Sequence, residues 1–315
     1  MKKDLKASFI MLLCVFLLMS NLLPTFAAEN KTEDETFEPL VFDEETMELL
    51  PAQLRDHLTK EDESDDSGEL VMAVATIHVI EAKGGKNKQI AEINYDFSTV
   101  ENIKKYNEDL DLLTNNVDEA LVTLGIIDEE DINQEEMVSA LSSRETTHRG
   151  ILTTGVSAQR YIDPNWRYYY QLQGWWNWLD SGFSSSHDRL GLIWQREFSS
   201  QESTHHAWST TKSTHPTTTK LTKLPYLNNL NFLNKGVMWK HNTTARTEGT
   251  VTAQVYHRTN FSGMHWGVAF EYVSPGSSTA DDRWSAYIHD LVFSLSGMVV
   301  PWERRYKTGI TITLP

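Results

Sequence analysis

The fold of this chain is decided by the stretch Tyr168-Tyr169-Tyr170-Gln171-Leu172-Gln173-Gly174-Trp175-Trp176-Asn177-Trp178. Its even-numbered positions carry the longer apolar stripe, and its odd-numbered positions mix aromatic and amide side chains. A period of two places alternate side chains on opposite faces of a β-strand. The stretch therefore predicts a strand with one face buried in an apolar core.

The same alternation recurs along the rest of the second half. About eight segments show it, polar turns separate them, and no segment has a convincing helical period. A sheet must bury one face against another layer, so a run of short strands typically packs as a sandwich or a barrel. Residues 150–315 are therefore predicted to form an all-β antiparallel sandwich or barrel.

One part of this half differs in composition. Ser, Thr and His dominate residues 199–220, where Trp208 is the only large apolar side chain. This composition predicts an exposed polar pair of strands or a long loop. A membrane-inserting hairpin would need sustained apolar alternation, which these residues lack.

A β-hairpin is predicted upstream, over residues 71–97. Two runs rich in β-branched residues flank Gly84-Gly85, and glycines give a hairpin turn the conformational freedom it needs. The hairpin begins a predicted α+β module that covers residues 69–143.

Two helices complete that module. Ser98 and Glu101 match a capping box, with Ser98 as the cap. Apolar residues then recur at steps of three or four until Gly125, a residue suited to a left-handed helix end. A second short helix is predicted around residues 132–141.

Charge divides the chain into two halves of different chemistry. Residues 29–150 carry 32 acidic and 10 basic side chains, and residues 151–315 carry 11 acidic and 15 basic ones. Such an asymmetry suggests a boundary, here near residues 143–150. Residues 28–68 contain most of the carboxylate runs, whose spacing does not match a calcium loop, and are predicted to be an acidic flexible linker. A short helix around Met47 to Leu58 is the alternative within it, because Met47, Leu50 and Leu54 share one face.

The amino terminus is typical of an export signal. A basic start, an uncharged apolar centre and the small residues Ala27 and Ala28 predict a signal peptide over residues 1–27, cleaved between those two alanines. The only cysteine, Cys14, lies within this segment. We therefore expect a secreted, extracellular mature protein without disulfides.

No catalytic motif is recognisable. Ser186-His187-Asp188 has the residue types of a hydrolase triad, but three consecutive residues cannot form the required relay. Eight of the eleven histidines lie beyond residue 180, without metal-ligand spacing. The net charge of −16 disfavours nucleic-acid binding. The sequence thus predicts no metal, no cofactor and no catalytic residue, although a hydrolase site assembled from distant residues stays open.

Candidate binding residues lie on the odd-numbered face of the strand predicted over residues 168–178. If the longer apolar stripe is core, this face presents Tyr169, Trp175 and Asn177 to a ligand, and flat rings beside amides suit a sugar, a membrane surface or a protein partner. The alternative is a fold with a second layer, in which the acidic α+β module over residues 69–143 covers these rings.

Two main functional hypotheses follow. The first is a non-catalytic module that binds a cell-surface polymer or carbohydrate, with a membrane surface as another candidate partner. The second is a pro-protein of membrane-active or toxin-like character, in which the acidic part masks the β-domain until proteolysis near Arg144 or Arg149 releases it.

Overall fold

A computed structural model describes the chain in thirteen segments. These are residues 40–62, 68–83, 86–128, 148–162, 168–180, 188–194, 198–224, 236–241, 246–257, 265–274, 285–289, 292–296 and 304–313. The predicted signal peptide, the second predicted helix and Arg144 lie outside them. All of the described residues belong to one compact unit. No helix within the described segments is long and apolar enough to cross a membrane.

Strands dominate the described residues, and four short helices precede most of them. In chain order the elements are α1 (Glu44–Leu49), α2 (Ala52–Asp62), β1 (Glu69–Lys83), β2 (Lys86–Asp96), α3 (Val100–Asn115), α4 (Val117–Thr123), β3 (His148–Ile162), β4 (Tyr168–Trp178), β5 (Asp188–Trp194), β6 (Phe198–Ser200), a 3-10 turn (Glu202–Thr204), β7 (His206–Thr211), β8 (Thr218–Lys220), β9 (Thr222–Lys223), β10 (Gly236–His241), β11 (Thr247–His257), β12 (His265–Ser274), β13 (Ser285–His289), β14 (Val292–Ser296) and β15 (Arg304–Thr313).

The strands form two main antiparallel sheets. In sheet A the order is β2-β1-β3-β4-β11-β7-β8, with β6 beside β11, and in sheet B it is β15-β12-β5-β10-β9. Strands β13 and β14 pair with each other. The prediction of an antiparallel β-fold is confirmed, and its arrangement agrees with a sandwich.

The stretch of residues 168–178 forms strand β4, near the middle of sheet A. Its even-numbered residues form part of the inner face, which packs on sheet B. The ring centroids of Trp176 and Phe270 are 6.3 Å apart, and those of Trp178 and Tyr272 are 5.8 Å apart. Large aromatic side chains bury much apolar area in such layers. The predicted assignment of the apolar stripe to the core therefore agrees with the packing.

The opposite side, the outer face of sheet A, is covered by helices over part of its width. An apolar cluster joins residues from β1 to β4 with residues from all four helices, including Leu54, Leu113 and Leu121, and with Leu50 between α1 and α2. Within the predicted linker, residues 44–49 and 52–62 are helical, and Leu50 and Leu54 are buried in this cluster. Pro51 separates α1 from α2 and has no N–H to continue a helix.

The predicted hairpin is an integral part of sheet A. Strand β1 pairs with β2 on one side and with β3 on the other, and the β1–β3 ladder joins thirteen residue pairs. The predicted boundary near residues 143–150 therefore falls between two neighbouring strands of a single sheet.

The helix after the hairpin differs in detail from its sequence pattern. The cap is Thr99, whose side chain accepts a hydrogen bond from the Asn102 backbone N–H, and not Ser98 as predicted. The helical pattern is also divided in two by Asn116, which caps α4. Gly125 has a φ of 67°, which agrees with the left-handed helix end predicted for it.

Candidate binding groove

A groove of about 500 Å³ opens on the outer face of sheet A, beside the part that the helices cover. Its walls are a helix on one side and strands on the other. The lining residues are Ala52, Gln53, Asp56, His57, Gln173, Trp208, Thr210, Thr218, Glu248, Gly249, Thr250 and Thr252. A concave site with one aromatic wall and several convergent polar groups is typical of small-ligand and sugar recognition.

Strand register brings the lining residues together. Strand β11 lies between β4 and β7, and Thr250 pairs with Trp175 on one side and with Trp208 on the other. Glu248 is opposite Thr210, one step further along the same face. Because directly paired residues point to the same side of a sheet, these side chains form rows across one surface.

Trp208 provides the aromatic wall. It is 44% exposed, although it sits in the ordered strand β7 between Ala207 and Ser209, which are both buried. The ammonium group of Lys220 lies over its ring at 5.6 Å from the centroid. An exposed tryptophan fixed on a strand offers a flat apolar surface that loses little freedom when a ligand binds.

The opposite wall is helix α2, which Gln53 fixes to the sheet. The Gln53 side chain donates to Glu248 Oε2 at 3.1 Å, and the Gln53 carbonyl accepts from Gln173 Nε2 at 2.9 Å. Lys212 also pairs with Glu248 at 3.1 Å. The groove is therefore built jointly by the acidic amino-terminal part and the β-domain.

The side chain of Gln173, beside this groove, carries a buried oxygen without a hydrogen-bond partner among the residues that the structure describes. The residue is only 1% exposed, and its Oε1 accepts no hydrogen bond from any residue that the structure describes. Its amide nitrogen is already committed to the Gln53 carbonyl. Buried polar atoms are normally paired, so this oxygen is an exception among the described residues, and its burial closes it to a ligand in the groove.

Trp175 does not present its ring to solvent, contrary to the expectation from strand alternation. It is fully buried in the cluster beneath the helices, as the two-layer alternative describes. A side chain at Gly155 would collide with it, because a Cβ there would lie 2.0 Å from the indole. Trp175 is therefore not an available contact in this structure.

Tyr169 and Asn177 lie on the predicted face but are engaged within the protein. Tyr169 stacks on Tyr161 with ring centroids 5.0 Å apart and contacts Tyr256 at 5.4 Å. These three tyrosines are cross-strand neighbours, so their rings pack against one another within the sheet surface. Asn177 accepts a hydrogen bond from Lys212.

The predicted processing position Arg149 lies inside strand β3. Its guanidinium contacts Glu81, at 3.0 Å, and Asp118, and its side chain is 11% exposed. Proteases prefer exposed, unpaired chain. The position of Arg149 therefore does not favour cleavage there.

A buried polar chain lies on the inner face, behind the groove. His241 Nε2 is 2.9 Å from the Ser209 hydroxyl, and Tyr272 donates to Asp188 at 2.5 Å. Since the Tyr272 hydrogen is used by Asp188, His241 Nδ1, 3.4 Å away, is the donor to the Tyr272 oxygen. Ser209 is 5% exposed and sits between the two sheets, so this chain joins the sheets.

Burial keeps the histidines of this region neutral. It lowers the pKa of His241 to about 4 and that of His205 to about 4, with Lys223 adding to the effect at His205. Burial, with Asp188 second, raises the pKa of Tyr272 well above its usual value. Within the described residues, no three His, Cys, Asp or Glu side chains are grouped to hold a metal ion.

Comparisons with known proteins add little. No protein-family model matches the chain, and no curated protein matches it. One similar solved structure comes from work on pH-induced modulation of Streptococcus parasanguinis adhesion by Fap1 fimbriae, with 8% identity, 51% of this chain and 80% of the other covered, and a TM-score of 0.28. Another is AvmM, which catalyzes macrocyclization in alchivemycin A biosynthesis, with 4% identity, 47% and 81% covered, and a TM-score of 0.23. At these scores neither likeness carries an argument.

Proposed function

We propose that this protein is a secreted, non-catalytic binding protein for an extracellular or cell-surface polysaccharide, which it holds in the groove beside Trp208. The observation that carries the proposal is an exposed indole wall facing a row of hydroxyl, amide and carboxylate groups. A sugar ring has one apolar face and a rim of hydroxyls, which suits an aromatic wall with polar neighbours. The amino-terminal export pattern supports a role outside the cytoplasm.

The polar side of the groove supports the same ligand class. Thr210, Thr250 and Thr252 line it, so hydroxyl groups are available along its floor. A lipid surface would favour a broad apolar patch, whereas Trp208 is a single exposed ring among threonines. We therefore place the polysaccharide first and the membrane surface second.

Release of a masked β-domain receives less support. A cut between β2 and β3 would leave two pieces still joined by the thirteen-pair β1–β3 ladder. Removal of residues 28–149 would also strip the helices from the apolar cluster that contains Trp175. For this reason the test uses the mature chain without truncation.

The test is co-sedimentation of the mature protein with insoluble polysaccharides, purified cell walls and liposomes. The variant Trp208→Ala should weaken pelleting with the bound polysaccharide about tenfold, because central aromatic contacts often contribute that much or more. Tyr168→Ala is the matched control, since Tyr168 is similarly exposed (41%) but lies outside the groove.

The two variants separate the outcomes. Loss of pelleting in Trp208→Ala alone supports the proposal. Equal pelleting of both variants and the parent protein would place the contact elsewhere, and pelleting with liposomes alone would replace the polysaccharide by a membrane surface.

A further inference from the structure

We propose that the side chains of Lys212 and Asn177 condense to an amide bond within the chain, with Glu248 as the acid and base of the reaction. The product is a covalent link from the end of β7 to β4, across the intervening strand β11. This modification site is independent of the proposed polysaccharide binding, because it needs no ligand in the groove.

The three reacting groups meet at one end of sheet A. Lys212 Nζ donates to Asn177 Oδ1 at 2.5 Å and pairs with Glu248 Oε2 at 3.1 Å. The carbonyl carbon of Asn177 is one bond of about 1.2 Å from that oxygen, so the amine nitrogen is no further than about 3.7 Å from this carbon. Reacting atoms about 3–3.5 Å apart are close to an attacking geometry. An amine, a carboxamide and a carboxylate are thus placed together for acyl transfer.

Backbone pairing holds the three groups in these positions. Glu248 is directly opposite Asn177 in the β4–β11 ladder. Lys212 directly follows β7, and its backbone N–H donates to the Arg246 carbonyl at 2.8 Å. Arg246 Nε in turn donates to the Trp178 carbonyl at 3.1 Å, beside Asn177. Because the strands fix the orientation before any reaction, little conformational freedom is lost in reaching the transition state.

Glu248 can activate the amine. A lysine ammonium has no free electron pair and becomes a nucleophile only after it gives up a proton to a neighbouring base. The Glu248 carboxylate, in contact with Lys212, accepts that proton. The two side chains are only 22% and 34% exposed, and partial removal from water favours the neutral pair over the charged one. Each molecule reacts once, so a slow step is sufficient.

The reaction exchanges one amide for another. The neutral Lys212 amine attacks Asn177 Cγ and forms the Nζ–Cγ bond, while protonated Glu248 gives its proton to Nδ2. The Cγ–Nδ2 bond then breaks and ammonia leaves. The extra proton on Nζ passes to Glu248 and from there to the ammonia. An ammonium side chain and a carboxamide thus become a secondary amide and an ammonium ion, so atoms and charge balance and nothing is oxidised or reduced.

The link would do the work of a disulfide. The only cysteine of the chain, Cys14, lies in the predicted signal peptide. Lys212 and Asn177 are 35 residues apart along the chain, and a covalent bond that closes such a loop restricts the unfolded state more than the folded one. We therefore expect the bond to protect an exported protein that has no disulfide available.

Mass spectrometry of the purified chain beginning at Ala28 tests this, both fresh and after prolonged incubation at neutral pH. We expect an intact mass below that of the sequence by one molecule of ammonia, and a proteolytic peptide in which Lys212 is joined to Asn177. Lys212→Arg keeps the positive charge without the primary amine, and Glu248→Gln removes the base, so both should keep their full sequence mass. Lys105→Arg is the matched control, because Lys105 forms a lysine–carboxylate pair with Asp109 at 2.9 Å on α3. It should still lose ammonia.

Each outcome decides the proposal. The joined peptide in the parent and in Lys105→Arg, absent from Lys212→Arg, supports it. A parent chain that keeps its full mass after incubation overturns it, as does a loss of ammonia that persists in Lys212→Arg. The joined peptide in Glu248→Gln would overturn the role of Glu248. Polysaccharide binding is read separately from Trp208→Ala, so either proposal can fail while the other stands.

Discussion

Acidification is expected to destabilise this protein through His78, a histidine enclosed between the sheets. His78 is fully buried, and its Nε2 lies 2.8 Å from the Thr154 hydroxyl. The Thr154 hydroxyl is in turn hydrogen-bonded to the Thr308 hydroxyl at 2.5 Å, and Thr308 donates to the Thr76 hydroxyl at 2.7 Å. Burial lowers the pKa of His78 to about 3, with a smaller opposing effect from Gln89.

The sign of the effect follows from proton binding. The ordinary pKa of a histidine is about 6.5, so between pH 6.5 and 3 the unfolded chain binds a proton at this position that the folded protein does not. Stability is therefore fully present above pH 6.5 and is lost as the pH falls. At pH 4.5 the difference spans about two pH units, which corresponds to about 3 kcal/mol of unfolding free energy.

Urea unfolding at pH values from 7.5 to 4.5 measures this loss. His78→Gln keeps a polar group near Thr154 but cannot take up the proton, so its stability should fall by about 3 kcal/mol less than that of the parent over this range. His215→Gln is the control, because His215 is exposed. Parallel pH profiles for the parent and His78→Gln would refute the reasoning, since they would mean that His78 does not stay neutral in the folded protein.

Three further predictions concern the architecture. A chain cut at a protease site engineered within residues 129–147 should still elute as one species in size-exclusion chromatography, because thirteen β1–β3 residue pairs hold the two pieces together. Separate elution of the two pieces would contradict that ladder. Gly155→Ala should lower the unfolding free energy by about 1–3 kcal/mol, since a Cβ would lie 2.0 Å from the Trp175 ring, and an unchanged urea midpoint would argue against this close approach. Trp176→Ala should cost about 3–5 kcal/mol in the same assay because the ring is fully buried between the sheets, while the exposed Tyr168→Ala should cost less than about 1 kcal/mol.

The candidate site was only partly accessible from the sequence. Trp208 stood out as the single large apolar residue among Ser, Thr and His, but this pattern does not say what lies beside it. Its neighbours Thr250 and Glu248 are about forty residues away along the chain and reach it only through the β7–β11 pairing. Gln53 and Asp56 are further still, on a helix that the sequence offered only as an alternative within an acidic linker. Sequence alternation assigns residues to faces but does not identify strand partners, so it could not assemble this groove.

The same limit explains Trp175. Strand periodicity correctly separates it from Trp176, because the period of two is a local property of the backbone. Whether the second face meets water depends on what packs there, and the helices that cover Trp175 come from residues far away in the chain.

The sequence by itself determined the antiparallel β character, the inner stripe of β4, the hairpin, and a helical region followed by the left-handed Gly125, because each follows from side-chain period, capping or turn chemistry within a few residues. Tertiary structure alone decided that β1 joins β3 in one sheet, that α1 and α2 pack on that sheet, and that Trp208, Gln173 and Asp56 face one groove. These are contacts between residues distant in sequence. Their free energy comes from burial and hydrogen bonding in the assembled fold, which local patterns do not contain.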